Sequence, residues 1–313
     1  MEFVIGNEKR LIEFISGLDG EDKIALISHS DGDGICSALM TNKLVGEINS
    51  LDIIGYSYNM LDKFPEKFKK LKINKIIITD LAVDEQAEKI KELEKFAEIL
   101  IIDHHPVIAD LNSEKTIMLK SKVDFPAAYV CYKLFSQFTE IPTWMGILGT
   151  LLDNMHKYTK ENVGDFFKDY EFDSVRTDHR EKAILLGNAL IYFRDNLNKV
   201  FDLLRDVKDF DDLDVLAPYS DEVEKEIQDF LKDFKENAEK KSGIYFYSFS
   251  PKFAITSALI NMLSIQEKDM TYIFVTQRKN SLNVSCRSQN GKLDCPSLLK
   301  KAIKDIPNST AGG

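Results

Sequence analysis

Short apolar runs alternate with amphipathic stretches through the first 156 residues. Residues 24–28, 51–56, 75–79 and 98–102 are rich in Ile and Leu and lack strict apolar–polar alternation. Such runs predict strands covered on both faces, and their alternation with helices predicts a parallel sheet. Helices fit 7–20, opening at an Asn7 cap, then 35–46, 84–97 and 125–138, the last with Pro126 suited to a first helical position. From 142 to 240 the periodicity is mainly helical and ends in a long charged helix near 220–241, after the turn Ala217-Pro218-Tyr219-Ser220. Gly243 stops that helix, and strands at 244–249, 272–276 and 282–286 flank helices near 252–265 and 296–305. The expected architecture is α/β: a parallel-sheet domain with flanking helices over 1–195, a helical connector over 196–241, and a smaller C-terminal α/β domain over 242–313. The chain shows no internal repeat and no low-complexity segment.

Three of the apolar runs end in polar residues of one chemical kind. The first leads into His29-Ser30-Asp31-Gly32-Asp33-Gly34, the third into Asp80, and the fourth into Asp103-His104-His105-Pro106. Open α/β sheets bind ligands at the carboxyl ends of their strands, so these residues should gather along one rim. Negative charge at that density needs a cation. Carboxylates and imidazoles suit Mn²⁺, Fe²⁺ or Zn²⁺ and tolerate Mg²⁺, and thiolate ligands are absent. Asp153, at the end of Gly149-Thr150-Leu151-Leu152, is a further candidate. Five or six such ligands suffice for two metals about 3.5–4 Å apart, the arrangement that clamps both oxygens of a phosphoryl displacement. An isolated histidine is more often a surface or core residue than a ligand, and His156 and His179 read that way.

Composition narrows the class. With 313 residues, 44% of them apolar, the chain can bury two cores. Its four cysteines, Cys36, Cys131, Cys286 and Cys295, form no CxxC pair, which argues for reduced thiols in a cytosol rather than a disulfide framework. No run approaches the roughly 18 apolar residues of a membrane span, so a soluble, cytoplasmic protein is expected, with no membrane partner. The net charge of −10 disfavours a general binder of long duplexes and fits a short or single-stranded substrate better. The acidic residues concentrate between Asp209 and Glu239, whereas Arg278, Lys279, Arg287, Lys292, Lys300, Lys301 and Lys304 make the tail basic.

In order and spacing these motifs resemble the DHH phosphoesterase superfamily, which includes RecJ-like nucleases, small oligonucleotide and cyclic-dinucleotide phosphodiesterases, and inorganic pyrophosphatases. His29 to Gly34 is similar to its first motif, Asp80 to its second, Asp103-His104-His105 to the third and Asp153 to the fourth, where Asn154 replaces a frequent threonine. The compact His-x-Asp-x-Asp-Gly form is most similar to archaeal RecJ-like members. The resemblance implies that His29, Asp31, Asp33, Asp80, His104 and Asp153 hold two Mn²⁺ ions, with Mg²⁺ or another divalent ion as the substitute and Asp80 bridging. It implies an in-line attack of hydroxide on phosphorus, with Asp103 orienting the histidines and His105 contacting the scissile phosphate or the leaving group.

The tail, Asn283-Val284-Ser285-Cys286-Arg287-Ser288 and then Ala311-Gly312-Gly313, resembles the nucleic-acid-binding DHH-associated C-terminal domain. That implies Ser285, Arg287, Gly312 and Gly313 as substrate contacts; the histidine of the corresponding Gly-Gly-Gly-His loop would follow Gly313, so 242–313 is expected to be a shortened copy of that domain. The activity implied is an exonuclease of single-stranded DNA or RNA. Alternatives are a phosphodiesterase for short oligonucleotides, cyclic di-AMP or 3′-phosphoadenosine 5′-phosphate, and, from another class, a non-catalytic scaffold like Cdc45. A homodimer and replication or repair proteins are the partners such relatives suggest. The richness in Lys, Glu and Ile hints at an archaeal source.

Overall fold

A computed structural model describes residues 3–46, 48, 50–55, 58–154, 177–278 and 281–311. The chain divides into two compact units, Met1–Ala217 and Pro218–Gly313.

The first unit is built on a five-stranded sheet of β1 (Ile24–Ser28), β2 (Ser50–Ile54), β3 (Lys75–Thr79), β4 (Glu98–Asp103) and β5 (Thr116–Lys120). Its order is β2-β1-β3-β4-β5 and every neighbouring pair is parallel. Successive residues point to opposite faces of a strand, and both faces here are covered. Ile24 and Leu26 of β1, with Leu100 and Ile102 of β4, join one core, while Ala25, Ile27, Ile99 and Ile101 join the other. That double burial is why these strands read as continuous apolar runs. The first core is closed by α1 (Glu8–Ser16), α2 (Gly32–Val45), α5 (Ala127–Phe135), α6 (Thr143–Asn154), α7 (Thr177–Tyr192) and α8 (Asn198–Leu204). The second is closed by α3 (Phe64–Leu71) and α4 (Ala87–Glu94).

Asn7 caps α1 as expected, its Oδ1 accepting from the Arg10 backbone N–H at 3.3 Å. Strand β5 and helix α3 were not anticipated. The apolar stretch of β5 is only Ile117-Met118-Leu119, closed by a lysine that reads as surface but is wholly buried.

The second unit holds a four-stranded sheet, β6 (Glu239–Lys241), β7 (Ile244–Phe249), β8 (Thr271–Arg278) and β9 (Ser281–Ser288), in that order. The β7–β8 pair is parallel and the other two are antiparallel. One face carries Tyr245, Tyr247, Phe249, Tyr272 and Phe274, which meet Phe230 and Phe234 of α9 (Ala217–Asn237) in tilted and edge-on ring contacts. The Tyr272 hydroxyl donates to the Leu263 carbonyl of α10 (Thr256–Gln266) at 3.0 Å, and α11 (Cys295–Ala302) ends the unit.

Two expectations change here. The charged helix stops at Asn237, and Gly243 instead turns a hairpin, with Ser242 and Gly243 at φ 48° and 80°. The boundary between the units falls at Ala217–Pro218, inside the stretch 196–241 read as a connector. The reason is apolar: Val200, Phe201, Leu204, Leu213 and Leu216 belong to the first core, whereas Phe230 and Phe234 serve the second sheet. Among the described residues no helix is long and apolar enough to cross a membrane.

A candidate metal centre at the strand ends

The parallel register brings Ser28, Thr79 and Ile102 level, so the residues that follow β1, β3 and β4 emerge at one edge. After β1 the chain turns directly into α2. Asp31 caps that helix, accepting from the Gly34 N–H at 3.0 Å, and Asp33 lies in its first turn. A Cβ at Gly34 would sit 2.6 Å from the His29 carbonyl oxygen, so only glycine lets this turn close against His29. After β3, Asp80 adopts φ 58°, a left-handed conformation that costs an Asp less than most residues. Its N–H is fixed on the Ile102 carbonyl at 2.9 Å, which holds the carboxylate over the end of β4.

The side chains of the six expected ligands lie close to one another. His29 Nδ1 lies 3.0 Å from Asp31 Oδ2 and 3.6 Å from Asp80 Oδ2. His104 Nε2 lies 3.4 Å from Asp80 Oδ1 and 3.7 Å from Asp33 Oδ2. Three groups have their ligand atoms within 4.8 Å of one another: His29, Asp31 and Asp80; Asp80, His104 and His105; and Asp33, His104 and Asp153. Asp80 and His104 each belong to two groups, so the groups adjoin, and the two Asp80 oxygens face different histidines. Asp153 comes from the last turn of α6 rather than from a strand end.

The orientation of each ligand is set by the residues behind it. His104 Nδ1 donates to the Val123 carbonyl at 2.9 Å, which leaves Nε2 to face the acids. The two Asp33 oxygens accept the Ala127 and Ala128 N–H groups at 2.8 and 2.5 Å, the open N-terminus of α5. His105 Nδ1 is 2.7 Å from Asp103 Oδ1. The other Asp103 oxygen forms an ion pair with Lys120 Nζ at 3.0 Å. Lys120 also donates to both oxygens of Asp84 at 2.9 Å and to the Pro106 carbonyl at 3.0 Å. Neither Lys120 nor Asp84 stood out in the sequence; the only signal was a charged residue closing a short apolar strand.

Electrostatics describe a site short of positive charge. Burial pulls the His29 imidazole down, but the close Asp31 and Asp80 carboxylates override it and push the pKa up to about 10. His104 also reaches about 10, where Asp80 and Asp33 outweigh its burial. Burial and then the Asp80 charge push Asp33 well above the usual carboxylate range, and burial with the same neighbour raises Asp153. Asp31 is held at about 2 because His29 and the Gly34 N–H overcome its burial. Like charges this close force some groups to carry protons unless a cation replaces them. Asp80 Oδ2, buried with no hydrogen-bond partner, faces His29 Nδ1, which has none either. An oxygen-and-imidazole set with orphaned, inward-facing atoms fits hard or borderline divalent ions.

The expected substrate contacts lie elsewhere in the chain. Ser285 and Arg287 are in β9, opposite Phe274 and Tyr272 of β8. Gly312, Gly313, His156 and the side chain of His179 lie outside the described residues.

Compared by sequence with curated proteins, the chain finds no match. Among solved structures it is similar to RecJ of Thermus thermophilus in complex with Mn²⁺, with TM-score 0.66 and 12% identity over 97% of this chain and 50% of that one. The chain thus spans half the length of that protein. A second similar structure, an exonuclease RecJ bound to manganese, gives TM-score 0.65 at 13% identity, covering 97% of this chain and 86% of that one. CDC45 from Entamoeba histolytica gives TM-score 0.56 at 9% identity over 97% and 94% of the two chains. At these identities the likeness is one of fold. Residues 23–153 match the family model of the DHH family, N-terminal domain. That segment holds all six expected metal ligands, and over it the chain matches the DHH family, N-terminal domain.

Proposed function

We propose that this chain is a Mn²⁺-dependent phosphodiesterase that trims single-stranded nucleic acid as a RecJ-like exonuclease. The observation that carries this reading is the ligand set: His29, Asp31 and Asp80 form one group, Asp33, His104 and Asp153 another, and Asp80 and His104 meet with His105 in a third that joins them. A scaffold of the same fold has no use for so costly a cluster of buried acids.

When bound, divalent ions supply Lewis acidity and an acidified water at the scissile phosphate. The protein's own part is positional. The Asp33 carboxylate is oriented before metal arrives by the N-terminus of α5, and the Asp80 backbone is fixed on the end of β4. His105, half-exposed, is held by Asp103 through Nδ1, and that carboxylate raises its pKa. It is suited to give a proton to a departing oxygen or to contact the phosphate. In the second unit Arg287 lies in β9 opposite Tyr272. A guanidinium suits a phosphate, and Ser285 is a further candidate contact.

The net charge of −10 favours the second reading, a phosphodiesterase for dinucleotides or cyclic dinucleotides. The test is Mn²⁺-dependent hydrolysis of single-stranded DNA and RNA of about 20 nucleotides, the length scale of single-strand grooves, beside dinucleotides and cyclic di-AMP. Stepwise release of mononucleotides from the long strands supports the exonuclease. Cleavage confined to the short substrates selects the second reading. Metal binding without hydrolysis of any of them overturns both.

A further inference from the structure

The second unit carries two thiols that belong to none of this chemistry. Cys286 lies in β9 and Cys295 is the first residue of α11, with their sulfurs 2.9 Å apart and both residues partly accessible. Bonded sulfurs sit about 2.05 Å apart, so closing this gap takes less than an ångström of side-chain movement. Cys36 and Cys131, in contrast, are wholly buried in the first core.

We propose that Cys286 and Cys295 form a reversible intramolecular disulfide, a modification site that fastens α11 to β9. Helix α11 has no buried residue of its own, so little apolar packing holds it on the strand. The bond would close the ring 286–295, which begins beside Arg287, and hold the first turn of α11 against the sheet.

The oxidant is a small-molecule disulfide. One cysteine thiolate attacks a sulfur of that disulfide, forming a protein mixed disulfide and releasing one small thiolate, which takes up a proton. The second cysteine then loses its proton, attacks the protein sulfur and expels the second small thiol. Two protein thiols are oxidised by two electrons and one small disulfide is reduced to two thiols. Cys295 is the first attacker, because burial and the neighbouring sulfur push the Cys286 thiol up to about 12 and its S–H points at Cys295. The final displacement is intramolecular and needs no rearrangement of the strand.

The experiment treats the full native chain with oxidised glutathione, blocks residual thiols with iodoacetamide, and maps tryptic peptides by mass with and without reduction. Trypsin cuts inside the ring at Arg287 and Lys292, so a 286–295 bond leaves two peptides joined until dithiothreitol separates them. The expected result is a protein lighter by two hydrogens, with that linked pair, and stronger amide protection in α11 after oxidation. Cys286→Ser and Cys295→Ser should each abolish the linked pair and leave a glutathione adduct on the remaining thiol. Stable adducts on the wild-type chain, a bond between two chains, or two alkylated thiols after full treatment would each overturn the proposal, and the wild-type mapping decides the matter even if a variant folds poorly.

Discussion

Lys120 Nζ lies 3.0 Å from Asp103 Oδ2, and neither side chain reaches solvent. The same ammonium bonds both oxygens of Asp84, so one buried cation stands between two buried carboxylates. Asp103 in turn holds His105, and its pKa is kept at about 2, where His105 and Lys120 overcome the effect of burial. Replacing Lys120 by Met leaves the two acids uncompensated. Breaking a buried pair from one side typically costs about 3–5 kcal/mol. Lys120→Met should lose that much stability in urea titrations followed by the chain's single tryptophan, Trp144, which is buried in the first core. Adding Asp84→Asn should recover part of the loss, because it removes one of the two stranded charges. Equal stability of wild type and Lys120→Met would show that the buried acids need no counter-ion.

Asp80 is the carboxylate shared by two ligand groups. Asp80→Asn keeps the shape and tolerates the left-handed backbone at φ 58°, so the fold should survive. Charge is what is lost. Removing several kcal/mol of transition-state stabilisation lowers turnover by about a thousandfold or more. Metal analysis of the purified variant should show less bound Mn²⁺ than wild type, with an unchanged melting curve. A variant of normal activity would remove Asp80 from the mechanism.

What could be read from the chain follows from which side chains interrupt a pattern. Strands β1, β3 and β4 are apolar on both faces and end abruptly at His29, Asp80 and Asp103, so strand and site were legible together. Strand β5 was not, because Lys120 looks like a surface residue until Asp84 and Asp103 are seen around it. Asp153 was singled out as the end of a further apolar run, but that run is the helix α6, and how α2, α5 and α6 pack is not encoded in periodicity. The end of α9 was misplaced for a local reason: Glu239-Lys240-Lys241 suits a helix, but it pairs with β7 instead.

That packing gives Gly149 a definite role. A Cβ there would collide with the Ala128 side chain of α5 and come within 2.9 Å of Cys36 Cβ of α2. Gly149→Ala should therefore push α6 outward, at the cost of about 1–3 kcal/mol typical of overpacking. Asp153 lies one turn further along α6, so the Asp33–His104–Asp153 group should open while the group around His29 and Asp31 stays intact. Titration with Mn²⁺, read by electron paramagnetic resonance, should show one weakened and one normal site. Uniform weakening of both would mean that α6 does not control Asp153 separately.

Metal binding should be steeply pH-dependent. Without metal, His29 and His104 are held up to about 10 by the surrounding acids, so both are cationic at neutral pH. A protonated imidazole has no lone pair to give, so each histidine must release its proton when a divalent ion enters. The sign follows directly: affinity rises with pH across the range from the ordinary histidine value of 6.5 toward about 10, and flattens above it. Two displaced protons correspond to a gain of about 100-fold per pH unit. Asp33 and Asp153 are also raised, and their protonation steepens the loss at the acid end. Calorimetric titrations with Mn²⁺ in buffers of different ionisation enthalpy count the released protons. Close to two at about pH 7.5 is the expected result; none would show that the histidines are neutral before metal arrives and that the acids alone set the affinity.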